Sequence, residues 1–303
     1  MTLKDAVMFV FLALVWGSSY LWIKVAVAEV APFTLVAWRL LFGLVVLGPI
    51  LLWKRPAWPA RPQAWSALAL LGVVDTALPF TLISWGETRI DSAMASILIG
   101  AVPLFVLVLA HRFLQDERMT WLKSAGVLTG FVGILVLVSP NLSPAGVQAG
   151  FWGQLAVLGA ALCYALAVVY ARRALKGIAP LVQAFFATAF AGLAITAGAF
   201  LWESPQTLPA QPLTWTALAV LGALGTGLAY AVYYTLIQTI GSTRASTVTY
   251  VAPVAGVVLG VAFLGEPLTW PLALGTLLVV GSVLAVNRRA KPAAVAAPGK
   301  QAT

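Results

Sequence analysis

Two charged side chains, Arg39 and Asp75, lie inside long apolar segments of the chain. Asp75 is about 11 residues into its segment, roughly 16 Å from one end at about 1.5 Å per helical residue. Arg39 is about 7 residues into the preceding segment from the opposite end, roughly 10 Å deep. In a hydrocarbon core about 30 Å thick, these depths differ by about 4 Å, so we expect pairing, directly or through a polar neighbour. Three roles are open: a structural ion pair, proton carriage by Asp75, or binding of the carboxylate and amine of a zwitterion.

Hydroxyl and aromatic residues form a second group of candidates, because spacings of three and four place them on single helix faces. Such faces suit a ligand with a polar head and an apolar or aromatic body. Ordinary helix contacts are the alternative, since Ser and Thr bond between membrane helices and Trp and Tyr collect at headgroup depth. The candidates for a substrate cavity are Trp16, Ser19, Tyr20, Asp75, Pro79, Thr81, Trp85, Ser96, Tyr164, Tyr230, Tyr234 and Tyr250.

The segments that must position these residues are ten apolar stretches. The chain is 61% apolar and 9% charged, with a mean hydropathy of +0.98, which is outside the range of soluble domains. A helix that crosses a membrane needs about 20 mostly apolar residues. The predicted crossings are 6–25, 32–53, 64–86, 91–111, 121–139, 150–171, 180–201, 214–237, 244–263 and 270–287.

The last five segments repeat the first five. Residues 114–121 pair with 264–270, which aligns Glu117 with Glu266, and Pro103 pairs with Pro253 at an offset of 150. Because five is odd, each unit enters and leaves on opposite sides of the bilayer, so its copy must be inserted upside down. Inverted repeats around a midplane site are the architecture of secondary transporters. The predicted fold class is therefore an all-α polytopic membrane protein with ten transmembrane helices in two inverted-topology five-helix repeats.

Three prolines, Pro79, Pro103 and Pro253, lie well inside predicted helices, where each removes a backbone donor and tends to kink the helix. Since Pro103 and Pro253 are repeat partners, we expect symmetry-related kinks. We further expect the hairpins of helices 3–4 and 8–9 to move as gates around a central cavity.

The distribution of Lys and Arg predicts the orientation. With the N-terminus inside, nearly all of them fall on the cytoplasmic side, and only Lys24 and Arg89 fall outside. Both termini are therefore predicted to be cytoplasmic, in a bacterial inner (plasma) membrane. The predicted organisation is a first repeat at 1–139, an extracytoplasmic linker at 140–149, a second repeat at 150–290 and a disordered cytoplasmic tail at 291–303.

Several short motifs lie along residues 6–287. Their residues are Trp16, Gly17, Ser18, Ser19, Ala31, Pro32, Arg39, Pro103, Glu117 and Glu266. These motifs resemble the EamA-type pattern of the drug/metabolite transporter superfamily, and within it the chain is most similar to bacterial amino-acid exporters, including the aromatic type. The resemblance implies ten helices in two inverted halves, a central cavity and alternating access without ATP. In the second half, Cys-Tyr-Ala-Leu at 163–166 replaces the Trp-Gly-Ser element, so the halves are expected to contribute unequally.

The predicted function is secondary transport, the export of amino acids or similar small metabolites. One alternative is export of lipophilic cations, which aromatic faces attract. A channel is the other, since hydroxyl stripes could line a pore, although no ring of carbonyls or charges is evident. One His, one Cys and no paired carboxylate at membrane depth disfavour an enzyme, a metal site or a bound cofactor.

The expected partners are a small-molecule substrate and membrane lipid, not nucleic acid. The net charge of +9 is read as a topology signal. Helices 5 and 10 are scaffold or homodimer candidates because small residues permit close helix approach. Their glycines are Gly126, Gly130, Gly133, Gly275 and Gly281.

Overall fold

The computed structural model describes residues 2–114, 119–143, 146–203, 208–241 and 245–287. The repeat turn at Glu117 and the predicted tail at 291–303 lie outside these ranges. The regular secondary structure of the described residues is helical, apart from a two-residue antiparallel ladder that joins β1 (Leu142–Ser143) to β2 (Gly146–Val147) inside the predicted linker.

Within the described ranges, eight helices are long and apolar enough to cross a membrane, and two shorter apolar helices follow them. The all-helical fold is therefore confirmed, whereas crossing by the two shorter helices and inversion of the second half stay predictions. The eight are α1 (Leu3–Val27), α2 (Pro32–Lys54), α3 (Pro62–Glu87), α4 (Ser92–Phe113), α5 (Trp121–Val138), α6 (Ala149–Ala174), α7 (Pro180–Trp202) and α8 (Pro212–Ile240), and the two are α9 (Val248–Leu264) and α10 (Trp270–Asn287).

Local sequence explains where the helices start. Thr2 caps α1 in a reciprocal capping box with Asp5. Helices α2, α3, α7 and α8 each begin with a proline, whose missing N–H is one that the first helical turn leaves unbonded anyway.

Many large apolar side chains on the outside of the bundle are exposed, among them Leu128, Leu135 and Leu193. These surfaces suit contact with lipid.

Two helices contain wider π-helical segments at matching positions of the repeat: Gly72–Ala77 in α3 and Val220–Leu228 in α8. Each bulged helix presses a glycine against a neighbour. A Cβ at Gly72 would lie 2.5 Å from the Ala187 carbonyl oxygen of α7, and one at Gly222 would lie within 2.4 Å of the Arg39 carbonyl oxygen of α2. The repeat partners Gly72 and Gly222 therefore let α3 meet α7 and α8 meet α2.

The three prolines occupy different settings. Pro79 follows directly after the α3 π segment. Pro103 begins the second part of α4, which is interrupted between Ile99 and Val102. Pro253 lies inside the continuous helix α9, whose start follows a turn at 246–247. The helix assignment is thus interrupted beside Pro103 and continuous through Pro253, and symmetry-related kinks stay a prediction.

Contacts between helices follow the repeat. Exchanging each helix of α1–α5 with its partner in α6–α10 converts the α1–α9 contact into α4–α6, and the α2–α8 contact into α3–α7. The pairs α2–α7 and α5–α10 map onto themselves. Helices of one half therefore pack mainly against helices of the other.

Two of the glycines of α5 and α10, Gly133 and Gly275, are used inside the chain, whereas Gly281 faces open space. A Cβ at Gly133 would lie 2.8 Å from Leu278 Cβ, and one at Gly275 would overlap Leu137. Helices α5 and α10 thus pack tightly on each other. Gly133 and Gly275 are not available to a second copy of the chain, and a homodimer stays a prediction without them.

Candidate functional site

Side-chain hydrogen bonds tie the helices together at one end of the bundle, opposite the N-terminus, here called the distal end. The Glu203 carboxylate accepts hydrogen bonds from Phe33 N and Thr34 N, both 2.8 Å, at the start of α2. The Glu266 carboxylate accepts from Ser92 N and Ala93 N, also both 2.8 Å, at the start of α4. A carboxylate at a helix N-terminus satisfies unbonded N–H groups and opposes the helix dipole. These links therefore join helices of the two repeats at the distal end.

Glu29 makes the corresponding link to α8. Its carboxylate accepts hydrogen bonds from Ala210 N, from Gln211 N and from the Thr214 hydroxyl. The Thr214 hydroxyl, followed by the two backbone N–H groups, holds the pKa of Glu29 below its ordinary value. The ionised form is consequently the one that caps α8.

Arg39 is buried at 6% exposure in the middle of the bundle. Its Nε donates to Thr226 Oγ1 at 3.1 Å, and its guanidinium lies 3.7 Å from the centre of the Phe80 ring. Thr226 belongs to the α8 π segment and also donates to the Leu221 carbonyl at 3.1 Å. None of the hydrogen bonds among the described residues uses the two terminal nitrogens of Arg39. A guanidinium held this way can present both nitrogens to a carboxylate.

Three tyrosines from different helices surround Arg39: Tyr20 of α1, Tyr164 of α6 and Tyr230 of α8. All three interact electrostatically with the guanidinium. Asp75, in the α3 π segment, interacts with Tyr164 and Tyr230. The three tyrosines and Asp75 keep some accessible surface despite their position among the helices. Five helices thus bring one cation, one carboxylate and three phenols together, a group called the central cluster below.

The expected direct pair of Arg39 and Asp75 is not among the contacts of the described residues. Arg39 instead uses Thr226 and Phe80. Tyr164 and Tyr230 each interact with both charged groups. In this conformer the two charges therefore meet only through polar neighbours, the second form of pairing that their depths predict.

Other predicted residues make helix–helix contacts beside the cluster. Trp16 Nε1 donates to the Gly225 carbonyl of α8 at 3.2 Å, and its ring packs against Tyr233 with centroids 5.3 Å apart. Ser19 is bonded within its own helix, to the Val15 carbonyl at 3.0 Å. Ser96 is fully buried and donates to the Pro253 carbonyl at 2.8 Å, which joins α4 to α9.

Thr81 and Trp85 line a different space, a mostly apolar recess of about 340 Å³ at the distal end between α2, α3 and α7. Trp85 is 37% exposed, and the Arg89 guanidinium lies 3.6 Å from its ring centre. Pro79 is buried two residues before Thr81 in the same helix. The structure therefore separates this group from the central cluster.

The last two predicted tyrosines lie in apolar packing. Tyr234 and Tyr230 pack against the apolar core between α2 and α7. Tyr250 packs against the core around α4 and α5. Neither is among the groups that act on Arg39.

Glu87, Lys24 and Glu266 are ionisable side chains at the distal end that are absent from the predicted sites. Glu87 ends α3 and is fully buried. Lys24 Nζ donates to the backbone carbonyls of Glu87 and Ile90, at 2.8 and 2.7 Å. Burial, with the Glu266 carboxylate nearby, raises the pKa of Asp91 in the turn between α3 and α4. The one signal available in the sequence is a carboxyl residue that directly follows the apolar segment 64–86.

Among the described residues, no group of three or more His, Cys, Asp and Glu side chains could hold a metal ion. Apolar helices of crossing length around a buried polar cluster define an integral membrane protein with a polar interior. Comparison with known proteins gives the class more closely. The model of the EamA-like transporter family matches twice, at residues 4–139 and 151–288. The chain belongs to this family of membrane transporters, and the double match supports two copies of one unit.

Relatives from distant organisms match along the whole chain. An inner membrane transporter of Escherichia coli, YedA, is 28% identical over 289 residues, covering 93% of this chain and 90% of its own length. The Bacillus subtilis transporter YoaV is 25% identical, covering 88% and 90%. Both are named as uncharacterized transporters, so their names identify no substrate. A solved crystal structure with 22% identity superposes with a TM-score of 0.65 over 94% of this chain and 96% of its own, which supports the fold alone.

Proposed function

We propose that the protein is a secondary carrier that exports amino acids, or similar small zwitterions, across a bacterial inner membrane. Both termini are cytoplasmic in this proposal, and α9 and α10 complete ten crossings in two inverted halves. The carrier alternates between two open forms without ATP. Membership of the EamA-like family supports the transport, while direction and substrate rest on the residues and on the resemblance described above.

The central cluster carries the proposal for the substrate. Arg39 offers the terminal nitrogens of a buried guanidinium for an α-carboxylate. Asp75 supplies an acceptor for an ammonium group, and the phenols of Tyr164 and Tyr230 interact electrostatically with both charges. Aromatic faces beside them suit an apolar or aromatic side chain. Burial inside a membrane is costly for each charge, which favours a ligand that neutralises both.

The same cluster makes lipophilic cations the second candidate, because three phenol rings and Asp75 could hold an organic ammonium. Arg39 distinguishes the two cases. A buried guanidinium within electrostatic range of the tyrosines repels a bare cation but binds a carboxylate. The zwitterion is therefore preferred.

Alternating access in this proposal uses the distal links. Glu29, Glu203 and Glu266 each cap a helix of the other half, so in this proposal the present conformer is closed at the distal end. The central cluster would then open toward the end that carries the N-terminus. Releasing these caps would open the distal end by movement of the α3–α4 and α8–α9 hairpins.

Counterflow in proteoliposomes tests the proposal. Vesicles loaded with an unlabelled amino acid should accumulate the labelled one, with saturation, when they contain the full chain. Arg39→Gln should raise KM at least about tenfold for an amino acid, the loss of one charge-assisted contact, and much less for the corresponding amine without a carboxylate.

Thr129→Ala provides the control, since Thr129 is exposed on α5 and bonds only to its own helix at Ala125. Equal losses for amino acid and amine in a folded Arg39→Gln protein would contradict carboxylate binding. Preference for quaternary amines would favour the second candidate. Flux that fails to saturate and shows no counterflow would indicate a channel.

A further inference from the structure

Glu87 is the one fully buried acidic side chain in the described ranges whose carboxyl oxygens both lack a hydrogen-bond partner. The other distal carboxylates are satisfied: Glu266 by two backbone N–H groups, and Glu203 by two more and a hydroxyl. An isolated ionised carboxylate is so unfavourable in an apolar interior that such a group takes up a proton instead. In this closed form Glu87 is consistent only with a neutral carboxylic acid.

The nearest cation does not neutralise Glu87 directly. Lys24 Nζ is bonded to two backbone carbonyls, those of Glu87 and Ile90, and not to the Glu87 carboxyl oxygens. Lys24 is also shared, because it interacts electrostatically with the carboxyls of both Glu87 and Asp91. One ammonium therefore serves two acids. The charged and titratable groups around Glu87 are Tyr20 and Lys24 of α1, Arg39 of α2, Asp91 of its own turn and Glu266 after α9.

Tight packing seals Glu87 from the distal surface. The preceding Gly86 lies against α6, where an added Cβ would be 2.6 Å from Val157 and 2.9 Å from the Gly153 carbonyl oxygen. Lys24 holds α1 to the same turn. On the inner side, Tyr20 interacts electrostatically with both Glu87 and Arg39. Glu87 is thus shut off by the closed distal end and connected to the central cluster through Tyr20.

We propose that Glu87 is a proton-binding site that couples proton movement to closure of the distal end. When that end opens, water can solvate the carboxylate and the proton can leave. When it closes, the carboxylate must take up one proton to become the acid. Resting on the proposed export, this makes the carrier an antiporter: the empty carrier closes with a proton taken up outside, and a solute that binds at the central cluster from inside displaces this proton by way of Tyr20. The ammonium group of the solute then compensates the ionised carboxylate until the distal end opens.

The substitution Glu87→Gln separates this role from structure. Glutamine has the shape of the protonated acid but cannot release a proton. In proteoliposomes that enclose a pH-sensitive dye, a solute gradient should drive proton flux through the wild type. In the Glu87→Gln chain this proton flux should be at least about tenfold lower than in the wild type. Counterflow should be kept, because it needs no net proton movement. Its melting temperature in detergent should equal or exceed that of the wild type.

Asp5→Asn is the matched control, because Asp5 is also buried but accepts two hydrogen bonds from Thr2 at the other end of the bundle. It should keep both the proton flux and the counterflow. Wild-type proton flux in a folded Glu87→Gln chain would overturn the proposal. The proposal would also be overturned if the wild type showed counterflow and net solute transport but moved no protons. This outcome would leave the proposed export intact.

A measurement without substrate keeps the two proposals distinguishable. Infrared difference spectra of the wild type between neutral and alkaline pH should contain the carbonyl band of a protonated carboxyl group without hydrogen bonds. Glu87→Gln should remove that band, and Asp5→Asn should not. If no amino acid gives counterflow but the band behaves this way, the proposed substrate fails and proton binding stands. Absence of the band in the wild type would refute proton binding by Glu87.

Discussion

Thr226 and Thr188 are both fully buried, yet the same substitution should affect them in opposite directions. The Thr226 hydroxyl accepts from Arg39 Nε and donates to the Leu221 carbonyl, both at 3.1 Å. The Thr188 hydroxyl, on α7, has no hydrogen-bond partner within the described part of the chain. Valine keeps the shape of threonine and removes only the hydroxyl.

The magnitude follows from these bonds. A hydrogen bond to a charged group contributes about 1.5–3 kcal/mol, and a neutral one about 1 kcal/mol, in soluble proteins. Thr226→Val should therefore lower the free energy of unfolding by about 2–4 kcal/mol. The average of about 0.6 kcal/mol per bond between membrane helices sets a lower value near about 1 kcal/mol. Thr188→Val removes a hydroxyl buried without a partner, so it should be neutral or stabilise by up to about 1 kcal/mol.

Thermal unfolding of the full chain in one detergent measures the difference. At about 2–4 °C per kcal/mol, Thr226→Val should melt at least about 2 °C below Thr188→Val. Thr226→Val should also raise KM for the solute, because Arg39 loses the contact that orients it. Equal melting temperatures, or a lower one for Thr188→Val, would refute the hydrogen-bond geometry around Arg39.

Three further outcomes are expected. Gly17→Ala should melt below Gly281→Ala in detergent, because a Cβ at Gly17 would lie 2.7 Å from a carbonyl oxygen of α9 whereas Gly281 has open space; similar values would argue against that helix contact. The pKa of Glu29 is lowered in the folded chain, so its stabilisation is present above the ordinary carboxyl pKa of about 4.3 and is lost as the pH falls through the folded value. Melting curves across acidic pH should therefore show a smaller loss for Glu29→Gln than for the wild type, and identical losses would exclude this contribution. A cysteine replacing Lys4 in a Cys163→Ser chain should react with an impermeant thiol reagent only in inverted vesicles, and labelling of intact cells would reverse the predicted orientation.

Much of the central cluster is predictable because a regular helix converts sequence position into depth. Counting about 1.5 Å per residue places Arg39 and Asp75 within a few ångströms of the same level. Helical spacing and aromatic character select Tyr20, Tyr164 and Tyr230 as cavity candidates, and these are the tyrosines that act on Arg39. Their role in binding a substrate is still a prediction.

The rotation of residues about a helix axis is less predictable. The π segment at Gly72–Ala77 widens α3, so residues after it are turned relative to those before it, by about 100° for one extra residue. Thr81 and Trp85 keep their mutual spacing but line the distal recess and not the face that carries Asp75. Periodicity alone contains no sign of such a segment, although the glycine at its start is a weak one.

The burial of Glu87 is not predictable from the sequence, for a different reason. Its burial depends on residues far away in the sequence: Lys24 on one side and Glu266 on the other. A carboxyl residue at the end of an apolar segment is ordinarily solvated, so sequence position argues against burial. Only the packing of α1, α3 and the α9–α10 connection turns the helix end into an enclosed acid.

The charges of the central cluster do not follow the sequence repeat. Gly222 brings the α8 bulge against the backbone of Arg39, whereas its repeat partner Gly72 brings the α3 bulge against Ala187. The same joint therefore carries a guanidinium in one half and a methyl group in the other, and Asp75 lies on the bulge that lacks the cation. A zwitterion bound between the two bulges would meet opposite charges at two joints between the halves: Arg39 where α2 meets α8, and Asp75 on the bulge where α3 meets α7. Relative movement of these two joints would then stretch one of its contacts, which gives a physical reason for binding and alternation to be linked.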